Sequence, residues 1–171
     1  MNIKKINQED KTLVFENIKN EILKLNFNII KEDQTRPWGG FFVIDENQTS
    51  EFVNAFFSHL KIDEIQITKK LSPKILVVAP EKRLSWQYHF RRSEIWKVVE
   101  GPVGVKISNS DTEGELKTLV NGDFIQMDKG ERHRLIGLDS WGVIAEIWQH
   151  TDHSNPSDEE DIVRLQDDFG R

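Results

Sequence analysis

The chain has 171 residues, the length of a single globular domain that can bury a substantial hydrophobic core. A formal net charge of -6 argues against a general nucleic-acid binder, and the absence of cysteine excludes disulfides and thiolate metal sites. No apolar run approaches the roughly 20 residues of a membrane span, and the polar start of the chain lacks the apolar core of a secretory signal. We therefore expect a cytoplasmic protein that binds neither nucleic acid nor membrane.

The first predicted element is an amphipathic helix from Gln8 to Leu25, with Asn7 as a candidate cap. Its apolar stripe is formed by Val14, Ile18, Ile22 and Leu25. We expect residues 1–34 to form an N-terminal helical extension, packed against the outside of the main domain or against a partner subunit.

The main domain is predicted to cover residues 35–171 and to contain an inserted helical segment at about 46–74. The first strand, FFVI, follows the sequence RPWG, and the insert then carries a strongly amphipathic helix with Thr49 and Ser50 as candidate caps. We favour a helix that covers an open edge of the sheet over a lid that closes on a substrate. The alternation of Ile65 and Ile67 predicts one further strand.

The stretch RLSWQYHFRRSEIWKVVEG, residues 83–101, carries three candidate metal ligands. In LSWQYH the residues alternate, so that Gln87 and His89 project from the same face of a strand. The next strand, EIWKVV, begins with Glu94 after a predicted turn at FRRS. If the two strands pair as a hairpin, the three polar tips can converge on one divalent ion.

A fourth candidate ligand, His133, lies in NGDFIQMDKGERHRLIG, which is typical of a strand, a tight turn and a second strand. Each candidate alone is more often an ordinary core or surface residue than a ligand. Together, two imidazoles and two side-chain oxygens suit zinc, while manganese, cobalt, nickel or iron would also fit.

Short strands predominate in the remainder of the chain. VGVKI and ELKTLV form a predicted hairpin, and FIQM, RLIGL and GVIAEIW follow at regular spacing. This rhythm is typical of a closed or sandwiched antiparallel sheet, so the predicted fold class is all-β with added helices. The acidic C-terminal tail would be disordered if composition alone decided.

Both ligand segments resemble the two motifs of the cupin superfamily. The first motif is matched in spacing by Gln87, His89, Glu94 and Gly101, with Gln87 in place of the usual histidine. The second is matched by Gly122, Gly130 and His133, with Asp128 in place of proline. The resemblance implies a cupin double-stranded β-helix, a jelly-roll barrel, that binds one divalent metal ion through Gln87, His89, Glu94 and His133.

Three sequence blocks are similar to the cupin domain of type II mannose-6-phosphate isomerases. They are RPWG from Arg36, KRLSWQYHFRRSEIW, and DIVRLQDDFGR from Asp161 to Arg171. In that family Gln87 is a regular feature, and the final block folds back near the site. The chain departs from the family at Phe90 and Arg91, where a run of histidines is usual.

The resemblance implies the interconversion of mannose 6-phosphate and fructose 6-phosphate through an enediol. It points to Glu94 and Arg164 as catalytic residues, while the general base stays open between Glu94, a metal-bound hydroxide and an acid such as Asp161. Further candidate cations for a substrate phosphate are Arg36, Arg92, Arg132 and Arg171.

Two other functions fit the same residues. A set of two histidines and one carboxylate also occurs in non-haem iron dioxygenases, and a metal-holding cupin could bind a sugar without turnover. A homodimer is expected only because dimers are the commonest oligomers.

Overall fold

The computed structural model describes Met1 and residues 10–170. Asn7 and Gln8, the predicted cap and start of the first helix, lie outside the described residues, as does Arg171. The helices are α1 (Lys11–Lys24), a 3-10 turn (Glu46–Gln48), α2 (Thr49–Phe56) and α3 (Ile62–Ile65). The strands are β1 (Ile29–Asp33), β2 (Gly39–Ile44), β3 (Leu71–Val78), β4 (Trp86–Tyr88), β5 (Arg92–Glu100), β6 (Val103–Ser108), β7 (Lys117–Leu119), β8 (Phe124–Met127), β9 (Arg132–Gly137), β10 (Gly142–His150) and β11 (Val163–Gln166).

The strands form two antiparallel sheets that pack face to face. The six-stranded sheet has the order β1-β2-β3-β10-β5-β8, and the five-stranded sheet has the order β11-β4-β9-β6-β7. The predicted fold class, an all-β cupin jelly roll with added helices, is confirmed. The predicted hairpin of VGVKI and ELKTLV is also confirmed as the β6–β7 pair.

Alternation along the central strands creates two separate cores. On β3, Leu76 and Val78 face the five-stranded sheet, whereas Ile75 and Val77 face the opposite side. The inner core contains apolar residues from both sheets, Trp38, Phe41, Leu76, Val78, Leu84, Trp96, Val98, Val103, Val105, Met127, Leu135 and Ile144. The same inward positions on β3, β5 and β10 also carry charged side chains, and these build the site described below.

The outer face of the six-stranded sheet is covered by α1 and α2. Helix α1 buries Phe15 completely, with its ring 5.6 Å from that of Phe42 on β2. Packing of the N-terminal helix against the outside of the barrel is therefore confirmed. Its N-cap is Asp10, whose carboxylate accepts a hydrogen bond from the Thr12 backbone N–H at 2.8 Å.

Two details of the inserted segment were wrongly predicted. Helix α2 begins at Thr49 itself, and the Thr49 hydroxyl donates to the Glu46 carbonyl, so neither Thr49 nor Ser50 caps the helix. The predicted strand at Ile65 and Ile67 is absent among the described residues. Ile65 instead ends α3 and is buried, whereas Ile67 is exposed in the following loop.

The conditional hairpin between the first two ligand-bearing strands does not form. Strand β4 pairs with β9 and β11, whereas β5 pairs with β8 and β10 in the opposite sheet. The ligand side chains therefore meet across the interior of the barrel, between the sheets. The C-terminal tail is ordered through β11, which confirms that the final sequence block folds back near the site.

Candidate metal centre

Three ionisable side chains from the two sequence motifs meet inside the barrel. His89 follows β4, Glu94 lies on β5 and His133 lies on β9, and all three are 2% exposed. The His89 Nε2 atom is 3.2 Å from Glu94 Oε1, and the His133 Nε2 atom is 3.4 Å from Glu94 Oε2. One potential ligand atom from each residue lies within 4.8 Å of the others, close enough for a shared metal ion.

Backbone carbonyls orient both imidazoles toward this point. His89 Nδ1 lies 2.6 Å from the Asp161 carbonyl oxygen, and His133 Nδ1 lies 3.0 Å from the Glu131 carbonyl oxygen. A carbonyl can only accept, so each Nδ1 carries a proton, and in the neutral form of the ring Nε2 then presents a lone pair. This arrangement is common for histidines that bind metals, because the outer hydrogen bond fixes the tautomer and the ring orientation.

The protonation states suit a cation. Burial lowers the pKa of His89, against the opposing effect of the Glu94 charge, and this shift favours the neutral imidazole. Burial alone would raise the pKa of Glu94, but His89, Arg92 and His133 together hold it well below its usual value. A neutral imidazole and an ionised carboxylate are the forms that bind a metal.

The donor set fits a divalent ion. His133 Nε2 is buried and lacks a hydrogen-bond partner among the described residues, and a bound ion would satisfy such an atom. The Gln87 side chain lines the same cavity as Glu94, and its backbone is paired with His133. The structure thus brings together His89, Glu94 and His133, with Gln87 beside them.

Arg92 supplies a positive charge at the same point. Its guanidinium Nε donates to Glu94 Oε1 at 2.7 Å, and its Nη2 lies 3.1 Å from His89 Nε2. The guanidinium also stacks on the Trp148 ring at 3.6 Å. A metal ion bound at His89 Nε2 and Glu94 Oε1 would therefore compete with Arg92 for these atoms.

A cavity of about 260 Å³ opens beside Glu94. This volume is near the lower end of the roughly 300–1,000 Å³ that small-molecule sites occupy. Its lining combines apolar and charged side chains, Arg36, Trp38, Phe41, Lys74, Leu76, Leu84, Ser85, Gln87, Arg92, Glu94, Trp96, Glu146, Trp148, Glu159, Ile162 and Arg164. Such a mixture can hold a small polar molecule in one orientation.

One wall of the cavity contains charged residues that the sequence analysis missed. Lys74 on β3 and Glu146 on β10 are each 4% exposed, and the Lys74 ammonium lies 2.5 Å from Glu159 and 3.3 Å from the centre of the Trp148 ring. Burial and the nearby charge of Glu94 raise the pKa of Glu146 to about 8. The sequence did contain a signal for these residues, because a lysine or glutamate at an inward position of an otherwise apolar strand is unusual.

The predicted phosphate-binding arginines differ in their surroundings. Arg36 and Arg164 line the cavity, and Arg36 also pairs with Asp33. Arg132 is not among the lining residues and its guanidinium binds Asp111.

The C-terminal segment fastens the loop that carries His89. The Asp161 carboxylate accepts hydrogen bonds from the backbone N–H groups of Phe90 and Arg91, each at 3.0 Å, and from the Ser157 hydroxyl at 2.6 Å. Burial opposes ionisation of Asp161, but these donors hold its pKa below the usual value. Since the Asp161 carbonyl also binds His89, this residue positions the site twice.

The two departures from the family pattern lie outside the cavity. Phe90 is 61% exposed, and Arg91 points toward the C-terminal segment, where it donates to Asn155 and Asp158. Neither residue is among those that line the cavity.

Comparison with known proteins supports a specific family. The family model described as "Mannose-6-phosphate isomerase C-terminal" matches residues 49–167. A mannose-1-phosphate guanylyltransferase of Salmonella montevideo is 30% identical over 65% of this chain, and one of Escherichia coli K12 is 31% identical over the same share. The match covers 22% of each relative, so the chain spans about a fifth of their length.

Solved structures support the fold. KdgF from Halomonas sp. aligns with a TM-score of 0.51 at 14% identity, over 76% of this chain and 89% of that protein. At this identity the likeness concerns architecture alone.

Within the described residues, no helix is both long and apolar enough to cross a membrane.

Proposed function

The chain belongs to the mannose-6-phosphate isomerase C-terminal family, a cupin-type family, and we propose that it is a metal-dependent aldose–ketose isomerase acting on a sugar phosphate. The most direct form of the proposal is conversion of mannose 6-phosphate to fructose 6-phosphate through an enediol. The observation that carries it is the meeting of His89, Glu94 and His133 beside a buried, polar cavity.

One divalent ion would be held by Gln87, His89, Glu94 and His133. Zinc is the proposed ion because it commonly binds four nitrogen and oxygen donors. Manganese, cobalt, nickel or iron would also accept these donors. When bound, the ion would polarise the substrate carbonyl and stabilise the charge that develops on its oxygen.

The protein's own cations would bind and orient the sugar phosphate. Arg164 and Arg36 line the cavity, and a guanidinium offers paired donors to phosphate oxygens. Arg164 is the proposed catalytic cation, with Arg36 and Arg92 supporting it. Arg132 and Arg171 remain candidates from the sequence, as do Glu94 and Asp161 for the general base.

The departure at Phe90 and Arg91 does not weigh against turnover, because both side chains point away from the cavity. Guanylyl transfer, the activity in the names of the curated relatives, is not carried over, because the match covers only 22% of those proteins. A cytoplasmic location and a homodimer stay predictions from the sequence.

Isomerisation of the metal-loaded protein is the direct test. The purified chain is stripped with a chelator, reloaded separately with each candidate metal, and incubated with mannose 6-phosphate while the sugar phosphates are followed by NMR. We expect fructose 6-phosphate with at least one metal and no product from the stripped protein. Absence of exchange with every metal would refute the proposal.

The same ligand set supports one alternative reaction, because two histidines and one carboxylate also bind iron in non-haem oxygenases. Oxygen uptake by the iron-loaded protein, without isomerisation, would favour that alternative. Tight sugar-phosphate binding without either reaction would indicate a binding protein.

A further inference from the structure

Glu146 is a buried carboxyl group in the cavity that the proposed metal site does not use. It projects inward from the middle of β10, where its cross-strand neighbours are Lys74 on β3 and Trp96 on β5. The Trp96 indole N–H donates to Glu146 Oε1 at 2.9 Å. Glu146 thus lies on the cavity wall, shielded from bulk water and held by a neighbouring strand.

Both oxygens of the other central carboxylate are already engaged. Glu94 Oε1 faces Arg92 Nε and His89 Nε2, whereas Glu94 Oε2 faces the Trp96 indole at 3.1 Å and His133 Nε2. A metal ion between the imidazoles would occupy at least one of these oxygens. Trp96 therefore links two carboxyl groups with different surroundings, and only Glu94 faces the imidazoles.

We propose that Glu146 is the catalytic base that moves a proton between C2 and C1 of the sugar phosphate. The inference rests on the proposed isomerase function and deepens it. In its ionised form, the Glu146 carboxyl group takes the proton from C2, the C2–H electron pair forms the C1–C2 double bond, and the carbonyl π pair moves to O1. The O2 proton passes to O1 within the enediol, and Glu146 returns its proton to C1 as the C2 carbonyl forms. No oxidant or co-reactant is needed.

Lys74 is the cross-strand neighbour of Glu146 and supplies a buried positive charge to the same cavity wall. Its ammonium is buried between the carboxylate of Glu159 and the ring of Trp148, and it lies directly across from Glu146 in the sheet. Burying charged side chains costs free energy that apolar packing avoids, so a buried lysine and glutamate on one cavity wall favour a role in binding or catalysis. A general base must lie within reach of the substrate proton, and a nearby cation favours the ionised form of a buried carboxyl group.

Glu146→Gln tests the role, because glutamine keeps the size of the side chain and an acceptor for Trp96. In deuterated water, we expect this variant to lose hydrogen exchange at C2 of mannose 6-phosphate by about a thousandfold, within the range usual for loss of a general base. Metal content and affinity for an alditol phosphate, which cannot isomerise, should stay within about threefold. Glu146→Asp should restore part of the exchange.

Glu160→Gln is the control, because Glu160 is an exposed carboxylate of the C-terminal segment and is not among the residues that line the cavity. It should lose less than about tenfold. Near-normal exchange in Glu146→Gln would overturn the proposal, and so would an equal loss of metal or alditol phosphate binding, which would indicate a structural role. If the wild-type protein exchanges no hydrogen, the proposed reaction itself fails and the base assignment fails with it.

Discussion

At the scale of single residues, the site depends on charges placed at inward positions of otherwise apolar strands. The sequence motifs predicted that His89, Glu94 and His133 would meet, and the structure brings them together. Lys74 and Glu146 were not predicted, because each lies in an apolar run that reads as ordinary core. Their significance depends on cross-strand pairing between β3 and β10, which local periodicity does not encode.

Burial of His150 should make the fold less stable in acid. It is fully buried on β10, and burial lowers its pKa to about 4, with Lys70 adding to the effect. Ser72 donates to Glu46 at 2.5 Å, so its oxygen accepts from His150 Nε2 at 2.8 Å, and the Nδ1 atom stays unprotonated. Protonating this imidazole therefore requires the fold to loosen.

A histidine whose folded pKa is depressed contributes stability that is present above its unfolded value of 6.5 and lost as the pH falls toward 4. Over that window, the wild type should lose up to about 3 kcal/mol more than His150→Gln, at about 1.4 kcal/mol per pKa unit. Urea unfolding of both proteins with chelator present measures this difference. Parallel pH dependences would show that His150 does not titrate as inferred.

At the scale of elements, local patterns predicted strands better than strand partners. LSWQYH and EIWKVV are both strands, but β4 and β5 pair in different sheets. Loop length and turn residues favoured a hairpin locally, whereas the jelly-roll topology assigns the partners through distant contacts. The start of α2 was misplaced for a local reason, because the Thr49 hydroxyl already donates to the Glu46 carbonyl in the preceding 3-10 turn.

The C-terminal segment should strengthen metal binding, because it holds the loop that carries His89. Asp161→Ala removes the acceptor for the Phe90 and Arg91 backbone N–H groups and so loosens the loop that carries His89. We expect metal affinity to fall by about 10- to 100-fold, as is usual when an outer hydrogen-bond partner is lost. Titration with zinc in a competing chelator measures the affinity. The exposed Glu160 of the same segment provides the control Glu160→Ala, and equal affinities in both variants would contradict the positioning role.

Packing of helix α1 against the six-stranded sheet should contribute to the stability of the fold. Phe15 is fully buried against Phe42 and Trp141, so Phe15→Ala should lower the free energy of unfolding by about 3–5 kcal/mol. Leu13→Ala, on the exposed side of the same helix, should change it by less than about 0.5 kcal/mol. Denaturant unfolding distinguishes them. Two small effects would mean that α1 does not form part of the outer core.

At the scale of the whole molecule, the covering helices and the candidate site lie on opposite faces of the six-stranded sheet. The outer face of the six-stranded sheet buries apolar residues under α1 and α2. Its inner face carries Glu94 and the charged cavity wall, and His133 faces Glu94 from the five-stranded sheet. The fold class and most of the proposed ligand set could be predicted, because the cupin motifs record local spacing. The cavity wall could not, because it is assembled from strands distant in sequence.

If His89, Glu94 and His133 bind one metal ion together with Gln87, the purified protein should keep that ion through gel filtration, where its metal content can be measured. The wild-type protein, supplied with zinc, should retain about one equivalent, as should the exposed-histidine control His59→Ala. His133→Ala, which removes the buried Nε2 atom that faces Glu94 Oε2, should retain almost none. A wild-type protein that retains no divalent ion, or a His133→Ala variant that retains as much as the wild type, would contradict the account.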